Sequence, residues 1–449
     1  MNTEILKIKD IIMDHYKNEY IAFNNSFPSH PDLKNKRDKA IELFLSRGFP
    51  SMKEEDWRFT NISPITRTKF ITPKTEYSGE NLESLIQKVS INIPSSRLIV
   101  FINGHHIPVH SNKREAYKLL SIKKASAEND KYFLQNFAKI TDNKTSSLIA
   151  LNTGLFSDGI FLQIPDNTII EEPFYLLFIN KTLDEQFGIF PRNLITVGKN
   201  SKISIIEHFV SIEKSVYFTN VVTELFIGEN SEVEHTKLEL ESVNAYHYNS
   251  LLVQQKQGSN LTQHSIMIGG SIVRNEISTQ LCEEEIKCTL NGLSLASGKQ
   301  LIDNHTEIDH TKPRCESHQL YKTILDGSSK GVFNGKIFVR KDAQKTDAKQ
   351  TNKTLLLSDN ATMNTKPQLE IFADDVKCTH GAAIGYLDSE AMFYLRSRGI
   401  AENIARDLLT YAFANDIVSR IKIEPVHGYL NHLIYTRLKQ GRELAILEG

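Results

Sequence analysis

A cysteine and a histidine two positions apart are the residues in this chain best suited to metal or sulfur chemistry. Cys378 and His380 lie in segment 366–385, which holds one of only four cysteines in the sequence. Residues two apart on a β-strand share a face, so an extended backbone would present the thiolate and the imidazole together. These ligands suit soft and borderline metals. Two ligands do not close a site, so further groups must come from elsewhere in this chain or from another chain.

Two other interpretations of Cys378 and His380 stay open at this point. A thiol nucleophile with a histidine base would need an oxyanion hole or a third group, and the sequence shows no obvious one, so a catalytic dyad is disfavoured. Considered alone, the pair is more often structural, with a buried cysteine beside a hydrogen-bonded histidine.

A second segment has an even more metal-like composition. If it is a strand, alternation places His305, Glu307 and Asp309 on one face and His310 on the other. We expect a polar corner of the fold here, although stacked coils could still bring ligands together. The candidate ligands of this segment are His305, Glu307, Asp309, His310, Cys315 and His318.

A weak repeat indicates the fold that must position these residues. Gly198-Lys-Asn-Ser-Lys-Ile is echoed by Gly228-Glu-Asn-Ser-Glu-Val and more loosely by Gly258-Ser-Asn-Leu, so the glycines are 30 residues apart twice. A fixed period, with turn residues at one corner and alternating strands between, is typical of a stacked β array. Long helical patterns are missing from residues 190–385, which argues against a βαβ sheet. We therefore predict a mainly β protein built on a β-solenoid.

Helical patterns flank this array. Apolar residues recur at helical spacing near the N-terminus, and Trp57, the single tryptophan, is expected to be a buried anchor there. After residue 389 the pattern predicts a helix that ends near Gly399. It then predicts a helix that Pro425 ends, and a third from Leu430 to about Leu447. The apolar stripe of the helix before Pro425 consists of Ile404, Leu408, Leu409, Ala412 and Phe413. The predicted domains are a mainly helical domain at 1–150, the β-helix at 151–388 and a helical domain at 389–449.

Composition excludes several classes of function. The chain has 449 residues, with 53 basic and 54 acidic residues, so no basic excess points to nucleic acid or an anionic membrane. Four cysteines do not make a disulfide framework, and Cys282 and Cys288 are expected in the core. Apolar runs are too short to span a membrane, and the N-terminus lacks the apolar region of a signal peptide. These features predict a reduced, cytoplasmic protein.

Nucleotide-binding motifs are also missing. Each Gly-Lys pair, at Gly198, Gly298 and Gly335, lacks the other residues of a phosphate-binding loop. We therefore do not expect this chain to bind ATP itself. The sequence also lacks a dinucleotide-binding glycine motif and a nucleophile elbow.

Five segments of the sequence carry a family resemblance: Lys53–Arg58, Gly331–Lys336, Gln344–Gln350, Leu369–Gly381 and Phe393–Gly399. Together they resemble the SufB/SufD family of iron–sulfur cluster assembly scaffolds. The resemblance is densest in 331–399 and spans nearly the whole chain. Within the family, the run Asp-Asp-Val-Lys-Cys-Thr-His-Gly resembles the SufD branch, because the SufB branch has a glutamate where this chain has Gly381.

The resemblance implies a right-handed parallel β-helix between helical domains. It also implies that the chain pairs with a SufB-like paralogue through the β-helices and binds a SufC-like ATPase through 389–449. His380 and Cys378 would then contribute to a transient iron–sulfur cluster at the SufB interface, with His380 the stronger candidate. Gly381 argues against cluster building by this chain alone.

The function expected from the resemblance is therefore that of a non-catalytic scaffold subunit. Motion driven by ATP hydrolysis in the SufC-like partner would open the interface for iron and sulfur. Two alternatives remain at this stage: a β-helix protein that binds or acts on carbohydrate, and a homodimer with no direct role in cluster assembly.

Overall fold

Helices occupy the two ends of the chain and strands the middle. The computed structural model describes residues 2–24, 27, 30–73, 82–108, 116–141 and 146–447. The described helices are α1 (Asn2–Asn24), α2 (Pro31–Arg47), α3 (Ser63–Thr66), α4 (Leu82–Val89), α5 (Ile122–Ala127), α6 (Lys131–Asn136), α7 (Ser147–Leu155), α8 (Ser389–Ser397), α9 (Glu402–Val418) and α10 (Glu424–Leu447).

The strands fall into two series that alternate along the chain. The first sheet contains β1 (Arg97–Ile102), β2 (His105–Ile107), β5 (Phe174–Asn180), β8 (Lys202–Ser211), β10 (Glu232–Leu240), β12 (Asn260–Met267), β14 (Lys287–Ala296), β16 (Glu316–Leu325), β18 (Asp347–Leu356) and β20 (Lys377–Gly385). The second contains β3 (Lys118–Ser121), β4 (Ile160–Ile164), β6 (Gly188–Ile189), β7 (Arg192–Val197), β9 (Phe218–Ile227), β11 (Tyr246–Gln255), β13 (Ile272–Leu281), β15 (Leu301–His310), β17 (Lys330–Val339) and β19 (Thr362–Ile371).

From β7 onward each strand pairs in parallel with the strand two places along the chain. In the first sheet, for example, Val233 of β10 aligns with Ile203 of β8 and with Leu261 of β12. Because consecutive strands belong to different sheets, the chain winds as a parallel solenoid of about eight turns. The predicted mainly β fold with a solenoid core is confirmed.

Turn residues at the predicted period stack at one corner of the solenoid. Asn200 and Asn230 have positive φ angles of 52° and 55°, and Gly258 has a φ of 65°. The backbone approaches closely here, since a Cβ on Gly228 would lie 2.7 Å from the carbonyl carbon of Gly198. Left-handed backbone and close approach favour asparagine and glycine, which explains why the repeat is readable in the sequence.

Apolar residues fill the solenoid interior and both of its outer faces. One buried cluster runs along the interior, where the rings of Phe101, Phe178 and Phe209 stack with centroids 4.7 and 4.4 Å apart. A second cluster lies between the first sheet and α9 and α10. A third lies between the second sheet and the N-terminal helices, and it contains Trp57, which is 7% exposed. The buried position predicted for Trp57 is confirmed.

The N-terminal region also adds strands to the two sheets. Strand β1 turns at Asn103 and Gly104 into antiparallel β2 and pairs in parallel with β5. Strand β3 pairs antiparallel with β4 at the same end of the second sheet. These strands cover the N-terminal end of the solenoid and form hydrogen bonds with the backbone groups at that end of both sheets.

The C-terminal helices differ in detail from their predicted limits. Helix α8 ends at Ser397, and Gly399 has a φ of 84°, as predicted for its C-terminus. Pro425 does not end α9; it lies in the first turn of α10, where a proline needs no hydrogen-bonded N–H. None of the described helices is both long and apolar enough to cross a membrane.

Candidate functional site

The predicted site residues lie on β20, the last strand of the first sheet. Cys378 and His380 lie near its start, with extended backbone as predicted. They are two positions apart, so their side chains lie on the same face, roughly 6–7 Å apart along the strand. Cys378 is half-buried and His380 is exposed.

The pairing of β20 with β18 shows which face of the strand carries Cys378 and His380. Cys378 aligns with Ala348 and His380 aligns with Gln350, both of which are about 1% exposed. Gln350 points across the interior, because a Cβ on Gly335 of the opposite sheet would lie 2.3 Å from its Nε2 atom. Cys378 and His380 therefore face the interior of the final solenoid turn.

The final turn remains open to solvent, unlike the turns before it. Strands β19 and β20 end their respective sheets, and within the described residues no further strand is paired to their outer edges. Most residues of β20 are exposed, whereas those of β14 are mostly buried. The inward-facing cysteine and histidine are consequently accessible from the open end of the solenoid.

The thiol of Cys378 is not activated in the isolated chain. Partial burial, together with the nearby carboxylate of Asp347, raises the pKa of Cys378. A protonated thiol is a weak nucleophile and must lose its proton to bind a metal. The electrostatics therefore agree with the sequence argument against a catalytic dyad, and they leave the thiol available to a ligand that displaces its proton.

Large apolar side chains are exposed around this end of the molecule. Phe393 on α8 is 74% exposed, Tyr386 is 61% and Phe372 is 59%. A cavity of about 780 Å³ lies beside α8 and is lined by Phe393, Tyr394 and Leu409, among others. Exposed apolar groups concentrated in one region are typical of a protein–protein contact surface.

Helix α9 contributes to this surface in a way the sequence pattern did not predict. The predicted apolar stripe includes Ile404 and Leu408, but these side chains are 48% and 47% exposed. Ala414 and Ile417 pack toward the solenoid instead. The apolar face of α9 is therefore wider than the face that the solenoid covers.

The second metal-like segment does not form a site. His305, Glu307, Asp309 and His310 lie on strand β15, so the corner predicted for them is wrong, whereas their predicted alternation is confirmed. Cys315 lies in the connection that follows, and His318 lies on β16. His305 pairs with Asp303 at 3.0 Å, and His310 contacts the hydroxyl of Ser317 at 2.9 Å. Cys315 donates to the carbonyl oxygen of Glu283 instead. These three candidate ligands thus have separate structural partners.

The remaining cysteines are only partly as predicted. Cys288 lies in the interior and is 1% exposed, which confirms a core position. Cys282 lies just beyond the end of β13 and is half-buried, so the two are not on one strand. Burial raises the pKa of the Cys288 thiol to about 12, which makes it inert at neutral pH.

A cluster of polar side chains inside the solenoid was not predicted from the sequence. Among the described residues, Glu239, Glu241 and His247 are the set of side chains that could jointly hold a metal ion. The available signal was the strand Glu232–Leu240, whose alternation places His235, Lys237 and Glu239 on the interior face with Val233. The sequence alone does not show which face of the strand is interior, so the alternation could not show that these polar side chains are buried together.

Comparison with known proteins agrees with this architecture. The model for the SUF system FeS cluster assembly SufBD core domain matches residues 178–413, and that for the SufBD protein N-terminal region matches residues 8–176. The chain is 31% identical to the iron–sulfur cluster assembly protein SufD of Escherichia coli, over 89% of this chain and 92% of the relative.

Two further relatives extend the comparison. The chain is 31% identical to an iron–sulfur cluster assembly SufBD family protein of Synechocystis, over 90% of this chain and 91% of the relative. It is 25% identical to SufD of Bacillus subtilis, over 94% of this chain and 98% of the relative. With both family models matched and near full-length similarity, the chain belongs to the SufBD family of iron–sulfur cluster assembly proteins.

Proposed function

We propose that this chain is a non-catalytic, SufD-like scaffold subunit that pairs with a SufB-like paralogue through its last solenoid turn. The observation that supports this pairing is the open end formed by β19 and β20. An exposed strand edge is a ready partner for another strand, and natural proteins usually cover or block such edges. Pairing with a second solenoid would continue both sheets across the junction.

Cys378 and His380 would contribute to cluster formation at that junction. They face the interior of the turn that the partner would cover, so partner side chains could complete a site that two ligands leave open. A thiolate and an imidazole are suitable ligands for iron in iron–sulfur chemistry. The exposed imidazole of His380 is the more accessible of the two.

The helices at 389–449 would bind a SufC-like ATPase. The exposed aromatic side chains of α8 and the uncovered apolar side of α9 support this assignment. The partner would hydrolyse ATP, because this sequence has no phosphate-binding loop. Movement of the ATPase, transmitted through α8 directly to β20, would strain and open the junction for iron and sulfur to enter.

The test is cluster assembly on the anaerobically purified complex with both partners. Replacing His380 by alanine should lower the bound iron and sulfide while the complex stays intact. The matched control is His318→Ala, which removes an exposed histidine from β16 in the same sheet. Undiminished iron and sulfide in the His380 variant would remove this residue from the site.

The same open edge could instead pair with a second copy of this chain, and the result would be a homodimer with no direct cluster role. Mass measurement with and without the SufB-like paralogue separates the two cases. A homodimer that persists when the paralogue is in excess would contradict the proposed pairing. The carbohydrate alternative loses its support, because the family comparison connects the chain to cluster assembly.

A further inference from the structure

Three metal-ligating side chains converge inside the solenoid, several turns from its open end. Glu239 lies near the end of β10, Glu241 follows in the corner, and His247 lies on β11 in the other sheet. One ligand atom from each lies within 4.8 Å of the other two. Their exposures are 0%, 4% and 1%. The corner between two consecutive strands therefore brings the three groups together.

Hydrogen bonding within the fold leaves ligand atoms unused at this corner. Glu239 accepts from the backbone N–H of Glu241 through Oε1 at 3.0 Å, while its Oε2 is buried without a partner. Asn180, at the end of β5, donates its amide to Glu241 at 2.7 Å, and its own Oδ1 has no partner. Buried oxygens without partners are costly, and each needs a proton, a water or a cation.

The local balance of charged groups favours a cation. Glu207, Glu239 and Glu241 supply three carboxylates, whereas Lys237 and Arg437 supply two cationic groups, so the carboxylates are in excess by one. Lys237 contacts the far ring nitrogen of His247, Nε2, at 2.8 Å, and therefore does not occupy the space at Nδ1. A divalent ion whose binding releases one proton would offset this excess.

We infer that Glu239, Glu241 and His247 bind a resident divalent first-row metal ion, with Asn180 Oδ1 as a fourth group. The donors are oxygen and imidazole nitrogen without sulfur, a set that suits zinc, manganese or ferrous iron. His247 Nδ1 and Glu241 Oε2 now lie 2.6 Å apart. Around an ion they would separate to roughly 3.3 Å, the spacing of two ligands at about 2.0 Å in tetrahedral geometry. Binding at Nδ1 releases one proton, and the ring stays neutral because a proton is kept between Nε2 and Lys237.

The role of this ion is structural and separate from cluster assembly. Its ligands join the end of β10, in the first sheet, to the start of β11, in the second. An ion here ties the two sheets together at one corner. Iron handled during cluster assembly would instead be cargo at the open turn, where the proposed ligands are different residues.

The test is the metal content of the full chain, purified without chelator from cells grown with added zinc, manganese and iron. Elemental analysis should find about one divalent ion per chain. Glu239→Gln, which is nearly the same size, should lower this content by at least about tenfold. The matched control is Cys378→Ala combined with His380→Ala, which should leave the content unchanged.

A spectroscopic measurement on the unaltered chain keeps the inference testable if the Glu239 variant does not fold. X-ray absorption at the edge of the bound metal should show oxygen and nitrogen neighbours with an imidazole contribution and no sulfur. A chain without stoichiometric metal, even after refolding with zinc, would show that protons neutralise the cluster and would overturn the inference. Loss of the ion in the Cys378 and His380 double variant would also overturn it, by placing the ion at the open turn.

Discussion

Phe393 gives the sharpest test of the proposed ATPase-binding surface. It lies on α8 with 74% of its surface exposed, so it contributes little to the fold of the isolated chain. Replacing it by alanine should leave the folding stability nearly unchanged and weaken partner binding. A surface residue that affects binding far more than folding is the signature of an interface contact.

The size of the effect follows from the exposed fraction. Burying a whole phenylalanine side chain contributes about 1.5–3 kcal/mol. About three quarters of Phe393 is still exposed, so covering it would contribute roughly 1–2 kcal/mol. Losing that contribution corresponds to binding that is weaker by about 5- to 30-fold.

The assay is calorimetric titration of the purified SufC-like ATPase into each variant. Phe59→Ala is the matched control, because Phe59 is also an exposed phenylalanine, at 43%, and lies outside α8–α10. The control should bind the ATPase as tightly as the unaltered chain. Equal affinity for the Phe393 variant, with a thermal midpoint equal to that of the unaltered chain, would refute the assignment of this surface.

Three further predictions concern stability and the open turn. Burial lowers the pKa of His310 to about 4. As the pH falls below about 6.5, His310 therefore binds a proton in the unfolded chain but not in the folded chain. Between pH 7 and 5 the free energy of unfolding of the unaltered chain should fall by about 2 kcal/mol more than that of His310→Gln. An equal fall for both proteins, measured by denaturant unfolding at the two pH values, would contradict this. Arg192→Met removes one partner of a fully buried 2.6 Å ion pair with Glu224 and should cost about 3–5 kcal/mol in denaturant unfolding; a loss under about 1 kcal/mol would show that the pair is not isolated from solvent. Gly381→Glu meets no atom within 4 Å of its Cβ and should change stability by at most about 0.5 kcal/mol, as measured by thermal unfolding. Because adjacent strand residues face opposite ways, this glutamate should not raise iron retention by the complex; a clear increase would show that it reaches the inward-facing pair.

Much of the fold could be predicted because its signals are local. The corner residues Asn200, Asn230 and Gly258 adopt positive φ angles, which few residue types tolerate, so their spacing revealed the period of the solenoid. Strand alternation alone likewise places Cys378 and His380 on one face. These inferences succeed because backbone sterics act over a few residues.

Other features, namely which side chains are buried and which residues they contact, depend on the packing between elements. The helical pattern of α9 could not show that Ile404 and Leu408 lie outside the contact with the solenoid. The composition of the segment around His305 predicted a polar corner, but the segment forms strand β15, where His305 contacts Asp303 and Arg274. In both cases the sequence pattern shows whether a face of a helix or strand is polar or apolar, but it does not show which element packs against that face.

The sequence by itself determined the solenoid repeat, the extended strand at 377–385 and the family to which the chain belongs. Only the tertiary structure decided that Cys378 and His380 open to solvent at an uncovered end, and that Glu239, Glu241 and His247 meet in the interior. The physical reason is that strand propensity and turn sterics are encoded within short windows. Burial and ligand convergence, in contrast, arise only when stacked turns bring distant residues into register.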